Sequence, residues 1–558
     1  MSRNEGSSLV AQDDDSNFKN YKVYLVTDST MIPPVKTFLG QVEDAVNNGA
    51  TIIQLREKTL STRDFIKRAE EVHRLTKPRG IPLIINDRVD VALAVDAEGV
   101  HVGQDDMPAK LVRRMIGPTK ILGVTCSTPE EAQQVVDEDV ADYVGLGTVY
   151  ATNTKKDVTS PDGIGPSGIK EMLQVLAQQS GKRKKNIQAV AIGGLNQSNA
   201  SFVYNACRIP QYSISGLAVV SCIMASQDAA QATRDLVQQL QITPLGGRLE
   251  EIDKNRQDSC STLESKLSQL SNSHPLVHHI TNNVVKNFSA NVTLAIGASP
   301  IMSELPQEFD EFASKIPNLG LVLNVGTPNQ QLMNVFSSAI KAYNKHQKPI
   351  VFDPVACGAS GARLDATAKL LNTGFMTVIK GNVGEVMSVW KLTQGYKAKL
   401  MVSEQNSDEE LMRGVDSVAE LSEDQIYAMA TDICFEFCPV LVVTGAVNYI
   451  VSSDGRTAKV PGGSALMSMV TGTGCSLGSV IAAFVASRAD GLQAEHEQDD
   501  ASTSDKNKHF DIFACVVGAV SLYNTAGKRA AADHKEPGSF MTAFIDELYK
   551  LTHSSKSN

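Results

Sequence analysis

The sequence predicts an α/β protein of two domains, a (β/α)₈ barrel of the TIM type followed by a second α/β domain. Three observations favour this fold class. The 558 residues exceed what a single hydrophobic core usually organises. Short apolar runs alternate with amphipathic stretches through residues 21–221. A polar segment at 246–274 then separates these runs from a further series.

Eight runs in the first half have the composition of buried parallel strands. In chain order they read YKVYLVTD, TIIQLREK, IPLIIND, GVHVGQ, KILGVTC, YVGLGTVY, IQAVAIGGL and YSISGLAVVS. Helix signals fill most of the gaps, as at 62–77 and 128–137. A doubly wound sheet is the alternative fold, but it usually carries a glycine-rich turn after its first strand, and none follows Asp28.

Composition divides the rest of the chain. We predict a disordered N-terminus at 1–19, the barrel at 20–242, a linker at 243–269 and the second domain at 270–558. The second domain contains the apolar runs GLVLNVGT, KPIVFDPV, FMTVIKGN and CPVLVVTG and a glycine-rich segment that leads into a helix. The stretch AEHEQDDASTSDKNKH, near 494–509, is typical of a disordered insertion.

The charge and cysteine content exclude several classes of protein. The net charge of −10 gives no electrostatic reason to bind nucleic acid or an anionic membrane, so we expect neither partner. No stretch approaches the ~20 apolar residues of a membrane span. The acidic start of the chain lacks the apolar core of a signal peptide. The nine cysteines are scattered without metal-ligand spacing, which predicts a reduced, cytoplasmic protein.

Polar residues gather at the ends of the predicted barrel strands, the rim that carries the active site in such barrels. Asp87 and Asp106 follow neighbouring strands, and paired carboxylates suit Mg²⁺ shared with phosphate oxygens. Arg56, Lys58 and Lys155 supply positive charge for a diphosphate. Any one of these side chains alone would more often be a solvated surface residue. Their common position at one rim favours a binding site.

The strings YLVTD, QLREK, INDRVDVALAVDAEGVHVGQDD, TKKD and AIGG, in this order, resemble thiamine-phosphate synthase across residues 20–240. The resemblance implies that pyrophosphate leaves hydroxymethylpyrimidine diphosphate and that the nitrogen of a thiazole phosphate attacks the same carbon. It assigns Mg²⁺ to Asp87 and Asp106, and the pyrimidine diphosphate to Gln54, Arg56, Lys58, Asn86, Thr125 and Lys155. It assigns the thiazole phosphate to Thr152, Thr154, Gly194, Val220 and Ser221. Thr125 stands where the bacterial pattern usually has serine, and it keeps the hydroxyl.

The second half has its own candidate anion site, the segment VTGTGC at 470–475, which precedes an apolar helical run. A helix N-terminus exposes N–H groups and carries positive potential, although a packing turn is the more frequent reason for such glycines. Asp353 and Thr444 end apolar runs, and Asn382 and Glu385 follow another. Carboxylates at strand ends beside a phosphate-binding segment fit phosphoryl transfer from Mg-ATP.

The strings VHHITNNVVKNFSANVTLAIGASPIM, FDPVACGA, KGNVGE, VVTG and TGTGC resemble hydroxyethylthiazole kinase of the ribokinase-like superfamily across about residues 270–553. The resemblance implies a ribokinase-like α/β domain, ATP as co-substrate, Mg²⁺, and a homo-oligomer built on a kinase-domain trimer or a hexamer. It assigns the thiazole to Met302 and Gly472, ATP to Lys380 and Thr444, and the Mg²⁺ environment to Asp353 and Glu385. Lys380 stands where the bacterial pattern has an arginine, so a bidentate contact is lost there.

Cys475 stands where ribokinase-like enzymes usually have an aspartate base. A free thiol has a pKa near ~8.5, and the predicted helix N-terminus is expected to lower the pKa of this one. Three roles stay open. The thiol accepts the proton of the substrate hydroxyl, or it lies beside a substrate that reacts by positioning, or it packs as a small buried cysteine.

Three functions compete. In the first, a bifunctional enzyme, the kinase phosphorylates hydroxyethylthiazole and the synthase joins that ester to the pyrimidine. The second is a sugar or pyridoxal-type kinase fused to a phosphate-binding aldolase or isomerase barrel, which requires a Schiff-base lysine or an acid–base pair; Lys58 and Lys155 are the candidates. The third, a metabolite sensor without activity, predicts gaps among the site residues, and Lys380 is the only change of concern. The bifunctional enzyme is therefore favoured.

Overall fold

The computed structural model describes residues 20–152, 154, 162–178, 186–209, 211–242, 263–326, 328–397, 421–487 and 511–553. The predicted disordered segments at 1–19 and 494–509, most of the predicted linker at 243–269, and Lys155 lie outside these residues. The chain divides into two compact units. Over the described residues, the first comprises Met1–Ile164, Met172–Asn196 and Arg208–Gln238, and the second Gly165–Glu171, Gln197–Cys207 and Gln239–Asn558.

The first unit contains a closed barrel of parallel strands, which confirms the predicted fold class. The strands are β1 (Val23–Val26), β2 (Ile52–Leu55), β3 (Leu83–Asn86), β4 (Gly99–Val102), β5 (Ile121–Cys126), β6 (Tyr143–Gly147), β7 (Gln188–Ile192) and β8 (Gly216–Val219). They follow one another in chain order, and β8 pairs with β1. Each predicted run contains one strand. Tyr212–Ser213, at the start of the last run, pairs instead with Arg208–Ile209 in a small antiparallel ribbon.

Helices connect the barrel strands. They are α1 (Phe38–Asn47), α2 (Thr62–Thr76), α3 (Val89–Ala94), α4 (Ala109–Ile116), α5 (Pro129–Glu138), α6 (Gly165–Ala177), α7 (Ala200–Ala206), α8 (Ser221–Met224) and α9 (Ala229–Gln239). Two of them begin close to the predicted residue because a hydroxyl caps the first turn. The Ser61 side chain accepts a hydrogen bond from the backbone N–H of Asp64, and the Thr128 side chain accepts one from Glu131.

Apolar and tyrosine side chains fill the interior of the barrel. The cluster comprises Tyr21, Tyr24, Val26, Ile52, Ile84, Ile121, Tyr143, Val190 and Ala218. Such packing makes the interior a core rather than a pore. The carboxyl ends of the strands then form an open mouth above that core.

The second unit is built on one sheet whose strands run in the order β10, β9, β11, β12, β13, β14, β15, β16. Their bounds are β9 (Leu276–Ile280), β10 (Ser299–Ile301), β11 (Leu319–Asn324), β12 (Ile350–Asp353), β13 (Val378–Asn382), β14 (Val440–Thr444), β15 (Val447–Ser452) and β16 (Thr457–Pro461). The strands from β10 to β14 are parallel, and β15 and β16 add antiparallel pairs at one edge. The carboxyl ends of the parallel strands therefore share one edge of the sheet.

Helices cover both faces of this sheet. They are α10 (Leu263–Ser273), α11 (Lys286–Ala295), α12 (Pro306–Lys315), α13 (Gln330–Lys345), α14 (Gly361–Leu371), α15 (Val383–Trp390), α16 (Glu423–Glu436), α17 (Thr473–Ala486), α18 (Ile512–Asp533) and α19 (Pro537–His553). Alternation along β11 places Val322 in one apolar cluster and Leu321 and Leu323 in the other. Among the described helices, none is both long and apolar enough to cross a membrane.

Candidate active sites

A cavity of about 310 Å³ opens at the carboxyl ends of the barrel strands. Both sets of predicted barrel residues line it, apart from Lys155, which lies outside the described residues. The lining includes Gln54, Arg56, Lys58, Asn86, Asp87, Asp106, Thr125, Thr152, Thr154, Gly194, Val220 and Ser221. The fold thus brings together residues that are up to 167 positions apart in the chain, from Gln54 to Ser221. Their individual roles stay predictions.

Two carboxylates face each other at the rim of this cavity. Asp87 directly follows β3 in a left-handed backbone conformation (φ 62°), and its carboxyl hydrogen bonds to that of Asp106. Burial, followed by Asp106, raises the pKa of Asp87 against the opposing effect of Lys58. Burial also acts to raise the pKa of Asp106, but hydrogen bonds from Asp87 and the Gly103 N–H outweigh it and lower that pKa.

This carboxylate pair fits Mg²⁺. Mg²⁺ is usually held by one or two carboxylates, with phosphate oxygens and water completing the octahedron. Two acid groups in hydrogen-bond contact are also stabilised when a cation replaces their shared proton. Among the described residues, no group of three or more His, Cys, Asp or Glu side chains could hold a metal alone. Phosphate oxygens and water would complete the coordination of a cation at this pair.

Two cations stand beside the carboxylates, each held by an acidic partner. The Lys58 Nζ lies 2.5 Å from the Asp87 Oδ2, and the Lys58 side chain is 53% exposed. The Arg56 Nη1 lies 3.6 Å from the Asp28 Oδ2. The rim consequently combines fixed positive charge with a candidate metal position, which is the electrostatic pattern that binds diphosphate.

Backbone groups form the opposite side of the cavity. Gly193 and Gly194 follow β7 with φ values of 104° and 66°. A Cβ on Gly194 would lie 2.8 Å from both the Ala151 carbonyl oxygen and the Tyr150 Cβ. Thr152 accepts a hydrogen bond from the Thr154 N–H through its hydroxyl (3.2 Å). Only glycine permits so close an approach of these two loops.

Three residues at the floor of the cavity were not predicted from the sequence: Tyr24, His101 and Tyr143. They lie within apolar strand runs, where an isolated aromatic residue is usually part of the core. One sequence feature pointed to Tyr24: side chains alternate along β1, so Tyr24 lies on the same face as Val26 and Asp28.

In the second unit, Asp353 ends β12 as a buried carboxylate with a buried partner. The Lys380 Nζ lies 2.8 Å from the Asp353 Oδ2, with side-chain exposures of 5% and 1%. The Asn324 amide donates to the same oxygen at 2.9 Å, while Oδ1 has no hydrogen-bond partner in the described structure. Burial raises the pKa of Asp353 to about 6 although Lys380 opposes it. An unpartnered oxygen on an acidic group at a strand end fits a cation such as Mg²⁺.

Glu385 has a structural role that the sequence analysis overlooked. Its carboxylate accepts hydrogen bonds from the Ala356 N–H and the Asn382 N–H, each at 2.9 Å. Asn382 in turn accepts from the Glu385 N–H at 3.0 Å, which forms a capping box at the start of α15. Both oxygens therefore fix the loop beside Asp353, and the predicted metal role of Glu385 stays a prediction.

The helix that follows the VTGTGC segment is α17. Gly472 is its N-cap, with φ 98°. A Cβ on Gly478, within α17, would lie 3.9 Å from the Lys380 Cε. Cys475, in the first turn of the helix, interacts with Asp353 and Lys380. The N-terminus of α17 therefore lies beside the Asp353–Lys380 pair, where its positive potential favours phosphate.

Cys475 lies in this first turn, and the predicted direction of its pKa is wrong. Burial, followed by the negative charge of Asp353, raises the pKa of the thiol. Lys380 and a hydrogen bond with Asn324 oppose the shift without reversing it. Desolvation thus outweighs the helix N-terminus, and the thiol is neutral near pH 7.

The remaining predicted residues lie along the same edge of the sheet. Thr444 ends β14 in register with Asn382 of β13. Met302 directly follows β10, the edge strand that pairs with β9. Asp353, between these two positions in the strand order, is the centre of the edge. Contact of Met302 and Thr444 with ligands stays a prediction.

Together, the two units define an enzyme that handles phosphorylated small molecules at two sites, one in a barrel mouth and one at a helix N-terminus beside a parallel sheet. Two family models match the chain: thiamine monophosphate synthase over residues 23–223, and the hydroxyethylthiazole kinase family over residues 267–554. The chain belongs to the hydroxyethylthiazole kinase family and, through both halves, to the thiamine biosynthetic bifunctional enzymes.

Curated relatives agree in length as well as in sequence. The thiamine biosynthetic bifunctional enzyme of Saccharomyces cerevisiae is 39% identical, with 96% of each chain covered. The probable counterpart of Schizosaccharomyces pombe is 35% identical, again with 96% of each covered. The thiamine-phosphate synthase of Clostridium novyi is 42% identical over 39% of this chain and 97% of its own length.

The predicted bifunctional enzyme is therefore confirmed. Thiamine-phosphate synthase activity belongs to the first half of the chain and hydroxyethylthiazole kinase activity to the second. The alternative pairing of a sugar or pyridoxal-type kinase with an aldolase barrel is wrong. Lys58, its candidate Schiff-base lysine in the described barrel, is paired with Asp87.

Proposed function

We propose that the two halves catalyse consecutive reactions. The second half transfers the γ-phosphoryl group of ATP to the hydroxyl of 4-methyl-5-(2-hydroxyethyl)thiazole. The first half joins the resulting phosphate ester to 4-amino-2-methyl-5-hydroxymethylpyrimidine diphosphate, which gives thiamine phosphate and pyrophosphate. The observation that carries the proposal is that the residues assigned to both synthase substrates line one cavity.

In the synthase, the chain's main task is to stabilise the departing diphosphate. Asp87 and Asp106 hold Mg²⁺, which when bound neutralises charge on the leaving group. Arg56, Lys58 and Lys155 bind the remaining phosphate oxygens. The bond from the pyrimidine CH₂ carbon to oxygen breaks, and a bond from that carbon to the thiazole nitrogen forms. The nitrogen carries no proton, so no general base is required, and orientation of the two rings supplies the rest.

Each synthase substrate has its own wall of the cavity. Gln54, Asn86 and Thr125 bind the pyrimidine diphosphate. The thiazole phosphate lies against the backbone at Gly194 and the side chains of the loops opposite. This second set comprises Thr152, Thr154, Val220 and Ser221, with Gly194. The separation allows the two rings to be oriented so that the thiazole nitrogen reaches the CH₂ carbon from which pyrophosphate leaves.

In the kinase, the N-terminus of α17 binds the transferred phosphoryl group through backbone N–H groups and the positive potential of the helix. Asp353 holds Mg²⁺ with Glu385 beside it, and the cation when bound neutralises the phosphate oxygens. Lys380 and Thr444 serve ATP, Lys380 through its charge. Met302 and Gly472 contact the thiazole. These positions lie in or just after the carboxyl-terminal parts of parallel strands, or at the start of α17.

Cys475 has a positioning role in this scheme. A thiol whose pKa is raised carries its proton near neutral pH, so it is a poor general base. Phosphoryl transfer through a loose transition state gains little from early removal of the hydroxyl proton. Cys475 therefore orients the hydroxyl of the substrate instead of accepting its proton.

The proposed function extends to the compartment, the partners and the oligomeric state of the protein. The protein is cytoplasmic, in line with the free cysteines of the described residues and with its small-molecule substrates. It binds neither nucleic acid nor membrane, in line with its net charge of −10. It assembles as a homo-oligomer built on a kinase-domain trimer or a hexamer.

Two separate assays on the purified full chain test the proposal. The first follows ADP release from ATP with hydroxyethylthiazole; the second follows pyrophosphate release from the pyrimidine diphosphate with thiazole phosphate. We expect both reactions, and we expect a chelator to stop both and added Mg²⁺ to restore them. Absence of either reaction with Mg²⁺ present would contradict the corresponding half of the proposal.

A further inference from the structure

A chain of hydrogen bonds crosses the floor of the barrel cavity from β2 to β5. The Gln54 Nε2 donates to the Tyr24 Oη at 2.8 Å, and the Tyr24 Oη lies 2.6 Å from the Tyr143 Oη. The Tyr143 Oη lies 2.8 Å from the His101 Nδ1, and the His101 Nε2 lies 2.9 Å from the Thr125 Oγ1. We call Tyr24, Tyr143 and His101 the floor relay. Its two ends are residues that the proposed function assigns to the pyrimidine diphosphate.

The floor relay is buried and held by its surroundings. Tyr24 and Tyr143 are each 1% exposed. A Cβ at position 123 would lie 2.1 Å from the Tyr143 Cζ, so only glycine leaves room for this ring. At position 145 a Cβ would lie 3.3 Å from the His101 Cε1. Burial raises the pKa values of Tyr24 and Tyr143, so both hydroxyls keep their protons near neutral pH.

The direction of the hydrogen bonds follows from the Gln54 amide. Because the Gln54 Nε2 donates to the Tyr24 Oη, the continuous arrangement has the Tyr24 hydroxyl donating to the Tyr143 Oη and the Tyr143 hydroxyl donating to the His101 Nδ1. In the same arrangement the His101 Nε2 donates to the Thr125 Oγ1. The Thr125 hydroxyl can then donate into the cavity that it lines. The floor relay thus links the orientation of the Gln54 amide to that of the Thr125 hydroxyl on the other side of the cavity.

We propose that Tyr24, Tyr143 and His101 are positioning residues of the synthase, which fix the Thr125 hydroxyl as a donor to a diphosphate oxygen and the Gln54 carbonyl as an acceptor. This inference rests on the proposed roles of Gln54 and Thr125. A donor that is already oriented costs no reorganisation when negative charge develops on the leaving diphosphate. The relay therefore acts on the reaction without touching the atoms that react.

The Tyr143→Phe variant tests the relay, because it removes one hydroxyl and keeps the ring. We expect kcat/KM of the synthase to fall about 10-fold, the loss typical of one buried hydrogen bond. Tyr21→Phe is the matched control. Tyr21 packs against the same ring at 5.1 Å between centroids, and its hydroxyl is not a member of the relay. We expect Tyr21→Phe to leave the synthase near wild type, and kinase activity in every sample to be unchanged.

A double-mutant cycle separates the relay from a merely structural effect. If Tyr143 acts through Thr125, then Tyr143→Phe combined with Thr125→Val loses no more activity than Thr125→Val alone. Additive losses, or an equal loss in Tyr21→Phe, would overturn the relay. Tyr24→Phe breaks the same chain nearer to Gln54 and provides a second route if Tyr143→Phe unfolds.

Different results would contradict the role of Thr125 and the role of the floor relay. A Thr125→Val enzyme with wild-type kinetics would overturn the assigned role of Thr125 and the relay with it. Reduced Thr125→Val activity together with unchanged Tyr143→Phe and Tyr24→Phe activity would overturn the relay alone.

Discussion

Two lysine–aspartate pairs mark the two sites, and they differ in how much water surrounds them. Lys58 and Asp87 are 53% and 20% exposed, so their attraction is screened and contributes little to folding. Lys380 and Asp353 are 5% and 1% exposed. A buried charge that loses its partner costs far more than an exposed one. The Lys58–Asp87 pair therefore affects mainly the charge of the barrel site, whereas the Lys380–Asp353 pair is required for the stability of the second unit.

Replacing these lysines should separate stability from activity. We expect Lys380→Met to destabilise the second unit by about 3 kcal/mol at pH 7, since Asp353 is left unpaired. Lys58→Met should change stability by less than about 1 kcal/mol. Trp390, the single tryptophan of the chain, belongs to the second unit, so its fluorescence during urea unfolding reports on that unit.

The pH dependence of this difference has a definite sign. The folded pKa of Asp353 is raised to about 6, so its ionised form disfavours folding above its unfolded pKa. Loss of Lys380 raises that pKa further. The loss of unfolding free energy in Lys380→Met, relative to the wild type, should then be smaller at pH 5, where the Asp353 carboxyl is protonated. A Trp390 transition that is equal in both lysine variants and the wild type would contradict the buried-pair account.

Cys475 provides a further prediction at the residue scale. If the thiol only orients the substrate, Cys475→Ala should lower kcat of the kinase by less than about 10-fold. Loss of a general base typically costs ~10²–10⁴-fold. Steady-state kinetics of Cys475→Ala and Cys475→Ser, with synthase activity of the same samples as a folding control, distinguish the two roles. A loss beyond about 10²-fold in Cys475→Ala would restore the base hypothesis.

At the scale of elements, the phosphate-binding turn of α17 is held by its neighbour α18. The Tyr523 hydroxyl donates to the Thr473 carbonyl oxygen at 2.6 Å and lies 2.7 Å from the Ser476 Oγ. Tyr523 is 1% exposed, so no water replaces these bonds. The position of the N–H groups of residues 472–475 consequently depends on a side chain from another helix.

Tyr523→Phe should weaken this support without removing the ring. We expect KM for ATP to rise about 5- to 10-fold, with a smaller change in kcat, because the anion-binding turn loosens. Synthase activity should stay at the wild-type level. Unchanged KM for ATP in a folded Tyr523→Phe protein would show that the turn needs no such support.

Apolar runs sufficed to predict the barrel strands, because parallel strands buried on both faces leave a strong pattern in sequence. The residues at strand ends were predictable for the same reason. The floor relay was not, since Tyr24, His101 and Tyr143 meet only when the barrel closes. The raised pKa of Cys475 depends on Asp353, 122 positions earlier in the chain, and on burial that a sequence pattern does not reveal.

At the scale of the whole molecule, the chain carries two chemistries with no shared site residue. The barrel residues assigned to the synthase lie between Gln54 and Ser221, and those assigned to the kinase lie between Met302 and Cys475. The product of the kinase is a substrate of the synthase. A defect confined to either site should therefore stop the sequence at a predictable intermediate.

The central claim is that these two sites perform consecutive steps, and one time course tests it. The full chain is incubated with hydroxyethylthiazole, ATP, Mg²⁺ and the pyrimidine diphosphate, and the products are separated by chromatography. We expect thiazole phosphate first and thiamine phosphate after it. Asp87→Ala should accumulate thiazole phosphate and form no thiamine phosphate, because a Mg²⁺ ligand of the synthase is missing. No thiamine phosphate from the wild type, or loss of both steps in a folded Asp87→Ala protein, would contradict the account.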